Sequence, residues 1–131
     1  MDKPQLISLP KIIDPRGNLS FFENDNQIPF SIKRTYWVYD VPGGKTRGGH
    51  AFKKSEEFII ALSGSFDIVL NNGEIEEKYS LNRSCQGLYV PRMLWRGLEN
   101  FSTNSLALIV SSISYDSTDY ITDFNEFKRI K

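Results

Sequence analysis

The chain has one cysteine, Cys85, and one histidine, His50, among its 131 residues. A lone cysteine cannot form a disulfide within the chain, and it excludes a zinc site built on paired thiolates. Proteins of reducing compartments rarely carry disulfides, so this composition is typical of them. We therefore expect a cytoplasmic protein.

An excess of charge of one sign is also missing, since sixteen Lys and Arg residues balance sixteen Asp and Glu residues. Without a net positive field, nucleic acid and anionic membrane surfaces are not expected as partners. No stretch approaches the ~18 apolar residues of a membrane span, and the first residues lack the apolar core of a secretory signal. An anionic ligand must therefore be met by individual arginines.

Repeats, low-complexity tracts and long Gly/Ser/Pro linkers are absent as well, so we predict one domain over residues 1–131. What the chain does contain is a series of short β-type runs separated by turn residues, which is typical of an all-β sandwich or barrel. The predicted strands are 4–8, 18–23, 32–40, 50–53, 56–63, 65–71, 75–81, 87–91 and 105–115.

Two local signals refine this prediction. Asn72-Gly73 stands between two β-type runs, and both residue types tolerate the positive φ of a type I′ turn, so the pair predicts a β-hairpin. Helical periodicity is seen only at the end, around residues 119–129. We expect a short helical segment there.

The segment GKTRGGHAFKKSEE at 44–57, with Gly64 after it, matches the first motif of the cupins. Residues two apart on a strand face the same side, so His50 and Phe52 both point inward. The second cupin motif is echoed by PRMLWRGLEN at 91–100, with Arg96 in the usual histidine position. The resemblance implies an all-β, single-domain cupin (jelly-roll) barrel with a short C-terminal helical segment.

A metal-dependent cupin needs three or four His and Glu ligands around one ion, whereas this chain offers one histidine and an arginine. Arginine cannot lose its proton to coordinate a cation. We therefore expect no metal ligands.

Several segments in order resemble the sugar 3,4-ketoisomerases, WxcM-like cupins that act on dTDP-4-keto-6-deoxyglucose. They are KIIDPRG (11–17), IPFSIKRTY (28–36), RGGHA (47–51), GLYVP (87–91) and YDSTDYI (115–121). The resemblance implies a keto group that moves between C4 and C3 through an enediol, without a metal or organic cofactor. It also implies a dTDP-linked hexose as ligand and a homodimer with N-terminal strand exchange.

Carried over by position, His50 matches the first histidine of the family's His-Ala-His pair and Arg47 the arginine before it. Tyr36 falls where the family has an active-site tyrosine, and Arg16 lies in its nucleotide-sugar-contacting turn. Phe52 departs from the pattern, because it replaces the second histidine. We expect His50 and Tyr36 to be catalytic, with His50 transferring protons and Tyr36 acting as hydroxyl donor or shuttle.

Other positions leave alternatives open. Arg96 either pairs with Glu57 or Glu99 or contacts the ligand, and Trp95 beside it is a candidate for the pocket wall. We expect Arg16, Arg47, Arg96 and Trp95 to bind substrate, and Tyr89 to be a core aromatic. Adjacent residues of a strand face opposite sides, so at most one of Glu56 and Glu57 enters the site.

Three functions are compatible with Phe52. The first is an active dTDP-sugar 3,4-ketoisomerase in deoxyamino-sugar biosynthesis. The second is a nucleotide-sugar-binding protein that has lost its base. The third is a related sugar-nucleotide epimerase.

Overall fold

The computed structural model describes residues 3–131 and consists mainly of short strands. These are β1 (Gln5–Ser8), β2 (Lys11–Ile12), β3 (Leu19–Ser20), β4 (Arg34–Tyr39), β5 (Arg47–Phe52), β6 (Glu57–Ser63), β7 (Phe66–Asn71), β8 (Glu76–Leu81), β9 (Gln86–Val90), β10 (Trp95–Glu99), β11 (Leu106–Ser111) and β12 (Tyr120–Ile121). A 3₁₀ turn covers Ser117–Asp119, and helix α1 covers Phe124–Ile130.

The strands form two five-stranded antiparallel sheets and a small ribbon. The first sheet has the order β1-β9-β6-β11-β4, the second has the order β12-β5-β10-β7-β8, and β2 pairs with β3. Within residues 3–131 no strand pairing joins the two large sheets, so the cupin-type fold is confirmed but its sheets do not close into a hydrogen-bonded barrel.

The main core lies between the two sheets because alternate residues of each strand face inward. In β7, Phe66, Ile68 and Leu70 are buried, and they pack with Ile59 and Ile109 of the first sheet. Burying each such side chain contributes ~1.5–3 kcal/mol. This packing fixes which side chains point into the space between the sheets.

Both outer faces are partly covered. Phe58 and Ile60 of β6 pack outward beneath Ile28 and Phe30 of the segment before β4. On the second sheet, Phe127 of α1 covers the outer face. The predicted C-terminal helix is thus confirmed, and the side chain of Asp123 caps its first turn.

The predicted hairpin is confirmed, but its turn is longer than a type I′ turn. Asn71 pairs with Glu76, so four residues connect β7 to β8. Gly73 has a φ of 102°, whereas Asn72 is not among the described residues with positive φ. The side chain of Asn72 instead accepts hydrogen bonds from the backbone N–H groups of Glu74 and Ile75. This local side-chain capping replaces the second left-handed residue.

Strand β10 was not predicted, and β5 begins earlier than the predicted 50–53. In β10 the inward positions alternate as Arg96 and Leu98, so a buried arginine hides the apolar period of the strand. Strand β5 begins with Arg47, Gly48 and Gly49, and these residue types are not typical of strands. These two unpredicted stretches lie side by side in the second sheet.

Candidate functional site

A cavity of about 350 Å³ opens between the inner faces of the two sheets. Its walls come from β4, β5, β10, β11 and β12. They include Arg34, Tyr36, Trp37, Val38, Arg47, Gly48, Gly49, His50, Arg96, Leu98, Ile109 and Tyr120.

A buried ion pair forms the floor of this cavity. The side chains of Arg96 and Glu57 are 2% and 1% exposed, and Arg96 Nε donates to Glu57 Oε1 at 2.7 Å. Arg96 Nη2 donates to the Tyr36 hydroxyl at 2.6 Å, and that hydroxyl donates to Glu57 Oε2. Ser111 Oγ also donates to Glu57 Oε2, at 3.3 Å. Of the two partners considered for Arg96, the structure shows Glu57.

Burial and the mutual electrostatic effects of these side chains determine their charge states. Burial raises the pKa of Tyr36 above its ordinary value; Arg96 opposes that rise and Glu57 adds to it. Burial is the largest single effect on the pKa of Arg96 and lowers it, but the Glu57 carboxylate together with Tyr36 and Tyr120 outweighs burial, so the pKa is raised. Tyr36 is therefore a neutral phenol and Arg96 a permanent cation at neutral pH.

The expected division of the two glutamates is confirmed. Glu57 points toward the cavity residues Arg96 and Tyr36, whereas Glu56 accepts a hydrogen bond from the Tyr89 hydroxyl. Tyr89 is fully buried in the second core cluster, so it is a core aromatic as expected.

His50 lies opposite Arg96 in the pairing of β5 with β10. Its ring contacts Phe52 and Tyr120, with ring-centroid distances of 4.8 Å and 5.0 Å. Nε2 of His50 is buried and has no hydrogen-bond partner among the described residues. Because a buried polar atom without a partner is costly, this nitrogen is a position where a ligand group would be stabilised.

The imidazole is held neutral. Burial is the largest cause that lowers the pKa of His50, and the nearby cations Arg96 and Arg34 lower it further, to about 3. At neutral pH the ring can therefore accept a proton.

We predict that His50 remains unprotonated down to about pH 4. Since it is the chain's one histidine, a single imidazole signal in a ¹⁵N-detected NMR titration reports on it without assignment. An inflection near pH 6.5 would contradict this prediction.

The same pKa difference makes stability fall with acidification. Between about pH 6.5 and 3 the unfolded chain binds a proton at His50 that the folded chain does not. The free energy of unfolding should fall by at most ~1.4 kcal/mol per pH unit, and by less because the ring is partly exposed. Urea titrations at pH 6.5 and 5.0 measure the slope, and His50→Gln should remove it. Carboxyl groups titrate mainly below the interval from pH 6.5 to 5.0 in which the slope is measured.

Two residues of the cavity were not singled out from the sequence. Arg34 Nη1 donates to the Tyr120 hydroxyl at 2.9 Å, and the Arg34 guanidinium lies 4.3 Å from the ring centroid of Tyr36. Arg34 is two positions before Tyr36 on β4, so the i, i+2 rule indicates that they share a face. No local signal places Tyr120, because a long loop brings it to the edge of β5.

The remaining predicted binding residues are spread out. Arg47 lines the cavity at an exposed position. Trp95 lies on the outer face of β10 and packs against Phe124 and Phe127 of α1, so it is not part of the wall. The Arg16 side chain is 90% exposed, pairs with Asp14 and lies outside the cavity.

Gly48 allows Arg96 to approach the backbone of β5. Its φ is 77°, and a Cβ atom there would lie 2.5 Å from Arg96 Nη1. That nitrogen cannot move aside without disturbing the bonds that Arg96 makes to Glu57 and Tyr36. The close approach therefore requires glycine.

We predict that Gly48→Ala lowers the free energy of unfolding by ~1–2 kcal/mol, because alanine is strained at this φ and displaces the guanidinium. Gly49→Ala is the matched control, since its Cβ would meet only Trp95 at 3.8 Å. Urea denaturation compares the two variants. Equal stability of both would show that the approach is not constrained.

Residues 3–131 contain neither a cluster of metal ligands nor a membrane-spanning helix. No group of three or more His, Cys, Asp or Glu side chains is placed to hold a metal ion. No helix in this part of the chain has the length and apolar content needed to cross a membrane.

Comparison with known proteins relates the chain to one family. The family model described as FdtA: WxcM-like, C-terminal, matches residues 2–131. A curated relative, the TDP-4-oxo-6-deoxy-alpha-D-glucose-3,4-oxoisomerase of Aneurinibacillus thermoaerophilus, is 39% identical over 125 residues. The match covers 95% of this chain and 90% of that protein.

Two solved structures extend this similarity. The WlaRB TDP-quinovose 3,4-ketoisomerase of Campylobacter jejuni is 40% identical, with a TM-score of 0.93 over 98% of this chain and 99% of that one. The 3,4-ketoisomerase QdtA of Thermoanaerobacterium thermosaccharolyticum is 34% identical, with a TM-score of 0.95 over 97% and 92% of the two chains. It was solved as a histidine-to-asparagine mutant in complex with TDP-4-keto-6-deoxyglucose.

Proposed function

Because the chain belongs to the FdtA family, WxcM-like, C-terminal, we propose that it is a dTDP-sugar 3,4-ketoisomerase. Its substrate is a dTDP-linked 4-keto-6-deoxyhexose, whose keto group it moves between C4 and C3. The observation that carries this proposal is the Nε2 of His50, which has no hydrogen-bond partner within residues 3–131 and lies in a cavity beside Arg34 and Arg96. Relatives at 34–40% identity are named as isomerases of this kind.

The reaction needs a base for carbon-bound hydrogen. The C4 ketone acidifies the proton on C3. Removing that proton gives an enediol, in which C3 and C4 are joined by a double bond and each carries one oxygen. Returning a proton to C4 then leaves the ketone at C3. In the proposed mechanism His50 removes the first proton and returns the second, since a neutral imidazole can do both.

Two cations lower the energy of the intermediate. Arg96 and Arg34 both lower the pKa of His50, so both act electrostatically on the same part of the cavity. Negative charge that develops on the sugar oxygens during enolisation is stabilised by these guanidinium groups. The same charge offsets the effect of the cations on His50, so the imidazole becomes a stronger base as the reaction proceeds.

Arg96 is proposed to bind the sugar through one nitrogen. Nε and Nη2 are engaged with Glu57 and Tyr36, while Nη1 has no hydrogen bond among the described residues. Tyr36, whose proton is held by Glu57, is proposed to fix the direction of the Arg96 guanidinium beside the sugar. Arg47, exposed at the cavity mouth, is proposed to bind the pyrophosphate.

A homodimer with N-terminal strand exchange is part of the proposal. Leu6, Ile12, Ile13 and Leu19 of the N-terminal strands and the turn between them are all about half exposed or more. Covering such a surface with a second copy would stabilise it. Arg16 lies on the same exposed segment, so the exchanged arm is a route by which it could reach a ligand. Light scattering of the chain, with and without residues 1–9, tests the assembly.

We also propose a cytoplasmic location, because the chain has a single cysteine.

The function is tested by incubating the protein with dTDP-4-keto-6-deoxyglucose in deuterated water and following the sugar by NMR. A 3-keto product is expected, with deuterium at C4 in the fraction of turnovers in which the His50 imidazolium exchanges its proton with solvent. Label at C5 would indicate an epimerase instead.

Phe52→His provides the second arm of this experiment. Phe52 is buried against His50 and Tyr120, so a histidine there would join the same cavity. Turnover by the natural chain excludes a protein that only binds. Turnover by Phe52→His alone would overturn the proposed activity and favour the binding function.

A further inference from the structure

Two phenols line the cavity, Tyr36 and Tyr120, and their hydrogen bonds differ. The Tyr36 hydroxyl gives its proton to Glu57 and accepts one from Arg96, so its proton has an acceptor in the protein. The Tyr120 oxygen accepts from Arg34 at 2.9 Å, and no described residue accepts the Tyr120 proton. Tyr120 is thus the phenol of this cavity whose proton is available to a ligand.

Tyr120 also lies next to the proposed base. Its ring is 5.0 Å from that of His50 and 4.7 Å from that of Phe52, and it pairs with Phe52 across the β12–β5 edge. A sugar that offers a carbon to His50 Nε2 therefore has its neighbouring oxygens within the region that Tyr120 borders.

We propose that Tyr120 is the catalytic acid and base for the sugar oxygens, and that Arg34 is its positioning residue. This inference rests on the proposed function, because it assigns a further group to the same reaction. His50 then serves the two carbons and Tyr120 the two oxygens.

The proton balance is closed by these two groups. As His50 takes the proton of C3, Tyr120 gives its proton to the C4 oxygen, which leaves a neutral enediol, an imidazolium and a phenolate. The phenolate next takes the proton of the C3 hydroxyl while the imidazolium gives its proton to C4. The product is the 3-ketone, and both side chains return to their starting states.

Other groups of the cavity are less suited to the oxygens. Arg34 and Arg96 cannot give up a proton at neutral pH. Glu57 already accepts from three side chains and is fully buried. Taking the proton of Tyr36 for the sugar would deprive Glu57 of one donor. Tyr120 has no such competing acceptor, and the Arg34 cation that donates to its oxygen stabilises the phenolate.

Arg34 is held in place for this role. Its guanidinium is stacked on the Tyr36 ring at 4.3 Å and lies 5.0 Å from the centre of the Tyr115 ring. Such cation–π contacts fix the plane of the group. The stack on the Tyr36 ring therefore directs the N–H that reaches Tyr120.

The test compares Tyr120→Phe with Tyr115→Phe. Both remove one hydroxyl from a tyrosine near Arg34, but Tyr115 is 65% exposed and does not line the cavity. Tyr120→Phe should lower kcat by ~10²–10³-fold, as expected for loss of an acid–base group, with TDP affinity within about threefold of the natural chain. Tyr115→Phe should keep kcat within a few-fold.

Substrate deuterated at C3 provides a readout of chemistry rather than of folding. Removal of the label from C3 should slow in Tyr120→Phe together with product formation, because enolisation needs the acid. Arg34→Gln should lower kcat, and Arg34→Lys should restore part of it, since lysine keeps a cationic donor. If Tyr120→Phe does not fold, the comparison of Arg34→Gln with Arg34→Lys tests the proposal in its place.

The outcomes separate the two proposals. If Tyr120→Phe matches Tyr115→Phe while the natural chain turns over, the role of Tyr120 is wrong and the ketoisomerase function stands. If Arg34→Lys is no better than Arg34→Gln, the positioning role is wrong. If the natural chain does not isomerise the substrate, both proposals are overturned.

Discussion

Replacing His50 with glutamine is expected to lower kcat on dTDP-4-keto-6-deoxyglucose by ~10³-fold or more, near the upper part of the range for a general base. The chain has no second histidine that could take over, and Phe52 occupies the neighbouring inward position. Glutamine keeps a polar group of similar reach but cannot accept a proton at neutral pH.

Binding should be far less affected than turnover. The groups proposed to bind the ligand, Arg47 and Arg96, are untouched by this substitution, so the Kd for TDP by calorimetry should stay within a few-fold. Phe52→Leu serves as a packing control, because it removes a ring that contacts His50 but keeps the imidazole. Activity of His50→Gln within tenfold of the natural chain would mean that another group is the base.

Glu57→Gln is expected to produce the largest loss of stability, ~3–5 kcal/mol, because it leaves the buried charge of Arg96 without its partner. Arg96 is 2% exposed, so water cannot replace the lost carboxylate. A loss of this size is a large part of the 5–15 kcal/mol that stabilises a typical domain. Urea denaturation at neutral pH measures it.

Two further variants serve as comparisons for this prediction. Glu99→Gln breaks the exposed ion pair with Lys78, whose atoms are 3.3 Å apart, and should cost less than ~1 kcal/mol. Replacing Arg96 and Glu57 together by apolar residues should recover much of the loss, because no buried charge remains. If Glu57→Gln and Glu99→Gln are equally mild, the buried pair is not a structural requirement.

The importance of Glu57 follows from its neighbours in space. It joins β6 to Arg96 of β10 and to Tyr36 of β4, so one carboxylate connects three strands of the two sheets. The same connection sets the direction of the Arg96 nitrogen that remains for a ligand. Stability and the shape of the site therefore depend on one cluster.

Much of the fold could be predicted because its cause is local. A continuous apolar run identified β6, alternation of apolar residues identified β7, and the Asn72-Gly73 pair identified β8 as the strand that pairs with β7. The inward direction of His50 and Phe52 and the opposite directions of Glu56 and Glu57 follow from the two-residue period of a strand. The resemblance of ordered motifs to the sugar 3,4-ketoisomerases identified the family.

Predictions failed where a polar residue occupies an inward position or where capping replaces backbone geometry. Arg96 hid β10 because alternation is read from apolar residues, and a fully paired arginine breaks that signal. Asn72 was expected to adopt a positive φ, but its side chain satisfies the turn instead. Neither outcome can be read from residue types alone.

The sequence by itself determined the strand-rich class of this protein and the inward face of β5, since both depend only on neighbouring residues. It also determined that no second histidine can serve as a base. The tertiary structure decided which glutamate pairs with Arg96, that Trp95 faces the helix, and that Arg34 and Tyr120 meet beside His50 although they are separated by 86 positions. The physical reason is that the charge, burial and proton direction of a side chain are set by groups across the cavity. Chain order does not fix which groups those are; the packing of the two sheets does.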